Sequence, residues 1–211
     1  MNNENINTDK KAIFVCVDTQ KDFMDADGKL YVADAEIIKE TLAKITKYAK
    51  DNKIQVITTS DWHYDDSLEL SDNPDFINTF PPHCMVNSIG AELVAETKPD
   101  GFDFTFDWKE QFDSNWFAST NLSVANILIL KDKFDVFVGN PNTDSIIKTI
   151  NPEIAYVYGV AGNVCVNYAV LGLLERGIEV VVFEDAIKDL PNVPSAIESW
   201  VELGAKVIKF N

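Results

Sequence analysis

The sequence predicts an α/β protein: a three-layer, Rossmann-like, doubly wound sheet, mainly parallel, with helices on both faces. Three observations predict it. Short apolar runs recur with little polar alternation, as strands buried on both faces of a parallel sheet require. Between them lie segments whose apolar residues fall at helical spacing, so strand and helix alternate. The composition, 46% hydrophobic and 25% charged over 211 residues with only 9 Gly and 8 Pro, is that of a chain with a sizeable core. At such a length roughly 70% of the unfolded surface is hidden on folding, so neither disulfides nor a structural metal is needed to hold the fold.

The elements follow in order. Ala12–Val17 is an unbroken apolar run and the first expected strand. Over Ala35–Lys50, Ile37, Ile38, Leu42 and Ile45, then Tyr48 or Ala49, recur at helical spacing, and after the turn at Asp51–Asn52 a second strand is expected at Ile54–Thr58. The same scheme returns later: strand Ala125–Leu130, helix near Thr143–Thr149, strand Ile154–Tyr158, helix Val164–Glu175, strand Ile178–Phe183, helix Ser195–Leu203 and strand Ala205–Phe210. From Asp61 to about Ser123 the alternation stops, and Asp, Asn, Pro and aromatics dominate. A loop this long inside a compact domain is uncommon and usually functional, so this region, 61–123, is expected to fold over the site as a lid or an interface. A solvated insertion with a few anchoring aromatics is the alternative. Residues 1–211 are read as one domain.

Charge narrows the function classes. With 34 acidic and 18 basic residues the formal net charge is −16, a field that repels phosphate backbones and anionic membrane surfaces, so neither nucleic acid nor membrane is an expected partner. The opening MNNENINTDKK is polar and lacks the apolar core and cleavage site of a secretory signal, and no apolar run reaches the roughly 20 residues of a membrane span. Cys16, Cys84 and Cys165 are an odd count without small-scaffold spacing, which suits free thiols in a reducing compartment. A cytoplasmic location is expected.

In an open α/β sheet, ligands sit outside the carboxyl ends of the strands. Asp18 closes the first apolar run, Lys131 closes NILIL, and Cys165 follows the strand Ile154–Tyr158 and the turn GVAGN, so all three are expected at one edge. A cysteine in the first turn of a helix faces unpaired backbone N–H groups, which favour thiolate, and Lys131 beside it would act the same way. Asp18 within reach would take the thiol proton and later return it to a leaving amine, with N–H groups near Val164 and Cys165 available to a developing oxyanion. Singly, each has an ordinary alternative: Cys165 as a small buried hydrophobe, Asp18 as a turn cap, Lys131 as a solvated surface charge. Their joint placement favours the site.

A second constellation follows the second strand, SDWH at 60–63 and PPHC at 81–84, and holds both histidines of the chain. Asp61, His63 and His83 supply one carboxylate and two imidazoles, a donor set suited to zinc, iron or manganese with positions open to substrate, and Glu69 lies between them as a candidate fourth ligand. Ordinary loop histidines remain the alternative on spacing alone.

With these residues in view, the sequence resembles the isochorismatase-like cysteine hydrolases, and within them the nicotinamidase/pyrazinamidase branch. VDTQKDF at 17–23 resembles the opening D-x-Q-x-D-F, KDKFDVF at 131–137 resembles K-x-x-[YF]-[SD]-x-F, and GVAGNVCV at 159–166 resembles G-[VI]-x-[TS]-[DN]-x-C-V. DWH followed by FPPHCMVNSIGAEL is similar to the pattern that separates the nicotinamidases from their metal-free cousins. The resemblance implies a catalytic Asp18, Lys131 and Cys165; a cis peptide at Val160–Ala161; an oxyanion hole from the N–H groups of Ala161 and Cys165; and a divalent metal, zinc first and iron or manganese as alternatives, on Asp61, His63, His83 and Glu69. It further implies a substrate ring held between Phe23 and Phe80, where Phe80 stands in place of the usual Trp. Homo-oligomers are frequent among such proteins.

Three departures bear on the substrate: Phe80, the pair Gly162 and Asn163 where Thr or Ser and more often Asp are usual, and the aromatic segment Asp100–Phe117, expected to reshape the pocket. The implied activity is hydrolysis of nicotinamide to nicotinate and ammonia through a thioester on Cys165. The alternatives are a hydrolase of another small amide or carbamoyl substrate, or a non-catalytic binding or assembly protein on the same fold. Isochorismate cleavage fits less well, since it needs no nucleophilic cysteine and its anionic substrate would avoid an acidic protein.

Overall fold

A computed structural model describes residues 6, 7 and 9–210, so Asn211 and the polar opening at residues 1–5 and 8 lie outside the described residues. Along the chain run β1 (Ala12–Val17), α1 (Lys21–Met24), a 3-10 turn (Ala35–Ile38), α2 (Lys39–Asn52), β2 (Gln55–Asp61), β3 (Phe104–Phe106), α3 (Ser114–Ser119) and β4 (Ile127–Lys131). Then come α4 (Val136–Gly139), α5 (Thr143–Ile150), β5 (Ile154–Val160), a π-helical turn (Gly162–Val166), α6 (Asn167–Glu175), β6 (Glu179–Lys188), α7 (Ile197–Glu202) and β7 (Lys206–Ile208). The strands form one sheet in the order β3-β4-β2-β1-β5-β6-β7 with every pairing parallel.

Alternation along the strands sends side chains to opposite faces. Ile13, Val15 and Val17 of β1 join Ile129, Val157 and Val182 on the face covered by α5, α6 and Trp200 of α7. Phe14 and Cys16 point the other way with Tyr156, Tyr158 and Phe183, against Leu42, Ile45 and Ala49 of α2. Both faces are therefore dry, which is why the strands read as continuous apolar runs. The expected helix at 35–50 is a 3-10 turn leading into α2, which ends where Lys53 turns left-handed at φ 55 and its N–H satisfies the Ala49 and Lys50 carbonyls.

Several boundaries differ from expectation because backbone ladders run past the apolar residues. β2 continues to Asp61, β4 to Lys131 and β6 to Lys188, whereas the last strand shortens to Lys206–Ile208. Asp61 and Lys131 are thus the last residues of their strands and register partners of each other. The region 61–123 is also less irregular than expected. Its second half supplies the edge strand β3 against β4, and α3, whose first turn is capped by Asp113 accepting from Trp116 N–H at 2.9 Å.

β1 pairs with β2 on one side and β5 on the other, so the chain winds outward in both directions from the sheet centre. A crevice opens at the carboxyl ends where the winding reverses. Gly159 lets β5 come close to β1 there: its φ is 123, and a Cβ would lie 2.0 Å from the Val17 carbonyl oxygen. The following peptide, Val160–Ala161, is cis. No helix among the described residues is long and apolar enough to cross a membrane.

Candidate active site

Four chain segments deliver polar groups into the crevice. Asp18 leaves β1 in a left-handed conformation, φ 48, with its N–H on the Thr59 carbonyl at 3.2 Å. Its carboxylate is fully buried; Thr59 Oγ1 donates to Oδ1 at 2.6 Å, and Oδ2 faces Lys131 Nζ at 2.8 Å. Lys131 Nζ also pairs with Asp61 Oδ1 and stands 3.7 Å from Cys165 Sγ. Cys165 rides on the π-helical turn before α6, a turn closed by Val164 and Val166 N–H groups on the Ala161 carbonyl, both at 3.1 Å. Asp18, Lys131 and Cys165 do come together at one edge of the sheet.

One ammonium thus faces two carboxylates and a thiol, all buried. Burial alone would depress Lys131, yet Asp18 and Asp61 hold its ammonium well above the ordinary lysine value. Burial would raise Asp61, but Lys131, His63 and His83 hold it well below the carboxylate range. Asp18 is raised, chiefly by burial and further by Asp61, against the pull of Lys131. Cys165 is likewise pushed well above the ordinary thiol value by burial, with Asp18 and Asp61 adding to it and Lys131 opposing. The direction is opposite to the one expected from Lys131 and the helix start alone. A sulfur anion would be a third negative charge beside one ammonium, and neither Lys131 nor the turn's backbone dipoles offset that in a dry site. Burial thus favours the thiol form of Cys165, beside an Asp18 carboxylate that is itself raised.

The second constellation assembles beside the first. Asp61 Oδ2 lies 3.7 Å from His63 Nε2 and 3.5 Å from His83 Nε2, and all three residues are buried. The opposite ring nitrogens are engaged, His63 Nδ1 with Ser67 Oγ at 3.1 Å and His83 Nδ1 with the Pro81 carbonyl at 2.8 Å, which directs both Nε2 atoms at the carboxylate. His63 Nε2 is buried with no hydrogen-bond partner. An orphaned imidazole nitrogen beside a second imidazole and a carboxylate, with donor atoms within 4.8 Å of one another, fits a divalent cation. Glu69 stays outside this three-residue cluster. Its Oε1 accepts from Phe134 N–H at 3.2 Å, its Oε2 is buried without a partner, and burial, with Asp61 nearby, pushes its pKa up to about 7.

The pocket over Cys165 is apolar, walled by Phe23, Phe80, Phe134, Val32 and Leu190, with His83 and Asp61 at its base. Phe23 meets the His83 ring edge-on at 5.5 Å, and Phe80 meets Phe134 edge-on at 5.4 Å. Phe134 stands in KDKFDVF and was not singled out from sequence; Leu190 carried no local signal, because its contact is made across the sheet. The segment Asp100–Phe117 contributes no wall, contrary to expectation. Phe106 and Phe117 turn into the core with Phe104, Phe112 and Trp116 packed around them. The segment touches the chain flanking His63, where Trp108 Nε1 donates to the Trp62 carbonyl at 2.9 Å and Tyr64 OH donates to Asp107 Oδ2 at 2.7 Å.

Two polar residues of VDTQKDF organise the site without facing the pocket. Gln20 brackets the backbone of Asp61: Oε1 accepts its N–H at 2.7 Å, and Nε2 donates to its carbonyl at 2.7 Å and to that of Ala91 at 3.0 Å. Asp22 accepts from Lys29 N–H at 3.0 Å and Cys84 N–H at 2.7 Å, tying the residue after His83 to α1. Their place inside the motif was the available signal.

Residues 116–210 match the isochorismatase domain family, a span that includes Lys131, Ala161 and Cys165. The chain is 24% identical over 181 residues, 84% of its length and 86% of the relative's, to the uncharacterized isochorismatase family protein PncA of Bacillus subtilis (strain 168). It is 31% identical over 79 residues, 37% of this chain and 41% of the relative, to the nicotinamidase/pyrazinamidase of Mycobacterium tuberculosis. Among solved structures it is similar to the pyrazinamidase of Pyrococcus horikoshii in complex with zinc, with a TM-score of 0.71 and 22% identity over 94% of this chain and 99% of that one. The resemblance read from the motifs is thus borne out, and the fold is the isochorismatase-like α/β fold.

Proposed function

We propose that this protein is a cysteine amidohydrolase that converts nicotinamide and water to nicotinate and ammonia. The observation that carries the reading is the single buried assembly of Asp18, Lys131 and Cys165 with Asp61, His63 and His83, shared through the Asp61 carboxylate, under a pocket of aromatic walls. In the proposed sequence, Asp18 takes the Cys165 thiol proton as sulfur adds to the carboxamide carbon. The carbonyl pair moves onto oxygen, which the N–H groups of Ala161 and Cys165 receive. Collapse breaks the C–N bond while Asp18 returns the proton to nitrogen, leaving a thioester and ammonia. Water then adds with Asp18 again as base, and the sulfur departs, is reprotonated, and frees the acid. Lys131 keeps Asp18 in place and offsets the charge that builds on sulfur.

Asp61, His63 and His83 would hold a divalent ion, zinc first and iron or manganese as alternatives, with Glu69 as an added ligand if its carboxylate swings in. Such an ion supplies a positive centre for the substrate's ring nitrogen. Phe23 and Phe80 would hold the ring between them. Nicotinamide is neutral, which suits a pocket whose lysine among the described residues, Lys131, is already paired with Asp18 and Asp61.

The test is ammonia release from nicotinamide, with metal content measured on the same preparation. The expected result is about one equivalent of divalent ion, turnover that chelation removes and zinc restores, and none in Cys165→Ala. A metal-loaded protein that leaves nicotinamide untouched while Cys165 still reacts with iodoacetamide overturns the substrate and points to another small amide. An inert Cys165 overturns the enzyme and leaves a binding protein on the same fold.

A further inference from the structure

Gly162 and Asn163, just before Cys165, share one neighbour: the segment that follows β6. Asn163 is buried. Nδ2 donates to the Leu190 carbonyl at 3.0 Å and the Val193 carbonyl at 2.9 Å, while Oδ1 accepts from Leu190 N–H at 2.9 Å. Among the described residues these three bonds are the hydrogen bonds that hold Asp189–Ser195, a stretch that is exposed from Pro191 to Ser195 and includes Asn192 at φ 65. The carboxamide is required. It gives two donors and an acceptor together, whereas a carboxylate would set an oxygen against two carbonyl oxygens. A Cβ at Gly162 would meet only the tip of the Asp189 side chain, 2.1 Å from Oδ1, a contact that rotation of that carboxylate relieves. The residue held by Asn163, Leu190, is a wall of the pocket over Cys165.

We propose that Asn163 is a specificity-determining positioning residue: its amide pins the Leu190–Val193 segment to the nucleophile-bearing turn and so fixes Leu190 as the wall that limits the pocket to small flat carboxamides. The effect on turnover rests on the amidohydrolase reading, but the effect on access to Cys165 does not.

The experiment compares Asn163→Ala, Asn163→Asp and Leu190→Ala with the parent. Alkylation of Cys165 is timed with iodoacetamide and with the bulkier N-phenylmaleimide, and KM and kcat are measured for nicotinamide. All three variants are expected to react with iodoacetamide at the parental rate, to gain roughly ten-fold in relative reactivity toward the bulky reagent, and to raise KM roughly ten-fold more than they lower kcat. Asn163→Ala/Leu190→Ala should be no more permissive than either single change. Unchanged size selectivity in the folded Asn163 variants overturns the proposal, whatever the substrate proves to be. A parent inactive on nicotinamide whose variants still gain bulky-reagent access overturns the substrate reading alone.

Discussion

Asp61 divides its carboxylate between two centres, Oδ1 toward Lys131 and Oδ2 toward His63 and His83, so the residue that would hold a cation also sets the field around the nucleophile. Lys131 is the single cation in that field. Replacing it by Met leaves Asp18 and Asp61 buried without a counter-charge, and Lys131→Met is expected to lose about 3–5 kcal/mol in urea unfolding as well as its turnover. Asp18→Asn keeps the hydrogen bond from Thr59 and should fold as the parent does, with kcat lower by roughly 10²–10⁴-fold. Asp18, Lys131 and Cys165 were legible in sequence because each closes or follows an apolar run, and strand ends are where an open sheet binds. The upward push on the thiol was not legible, since its first cause is burial in the assembled crevice, to which Asp18 and Asp61 add, the latter entering from β2 through register with Lys131. Gln20 was written in the motif but not in its meaning, because its partner, Asp61, lies 41 residues away.

At the scale of elements, aromatic richness was legible but its direction was not. An aromatic stretch outside the strand–helix rhythm reads equally as a lid or as a sheet edge, and pairing with β4 decides for the edge. Phe106, nearly inaccessible and stacked on Phe117 at 6.0 Å, belongs to this edge. Phe106→Ala is expected to cost about 3–5 kcal/mol in stability with KM for nicotinamide unchanged, measured by denaturation and by steady-state kinetics. The first half of the same region carries a different device. Asp75 Oδ1 accepts from the N–H groups of Ile77, Asn78 and Thr79 at 2.9, 2.7 and 2.8 Å, and these bonds draw its pKa far below the ordinary 3.8. A depressed folded pKa gives stabilisation that is whole above the unfolded value and is lost as pH falls through the folded one. Amide exchange at residues 77–79 should therefore stay slow until strongly acid pH in the parent and be fast throughout in Asp75→Ala.

Over the whole molecule, the charge of −16 acts at a distance that the buried site does not. A neutral carboxamide feels little of it, so kcat/KM for nicotinamide should be flat between low and physiological salt, whereas inhibition by nicotinate, an anion, should strengthen as salt screens the repulsion. A kcat/KM that rises steeply with salt would mark an anionic substrate instead. The overall architecture was legible because both sheet faces are covered and apolar runs recur; strand order was not, since periodicity carries no information about which neighbour a strand takes. That order has a consequence during synthesis. β1 finds β2 within 38 residues, but its other neighbour, β5, begins 137 residues after β1 ends. At about 5–20 residues per second, one edge of the most apolar strand waits on the order of ten seconds for cover while the chain emerges. The topology that creates the crevice therefore also creates an interval of vulnerability, in which the nascent chain is open to misassociation before the turn that carries Cys165 has been made.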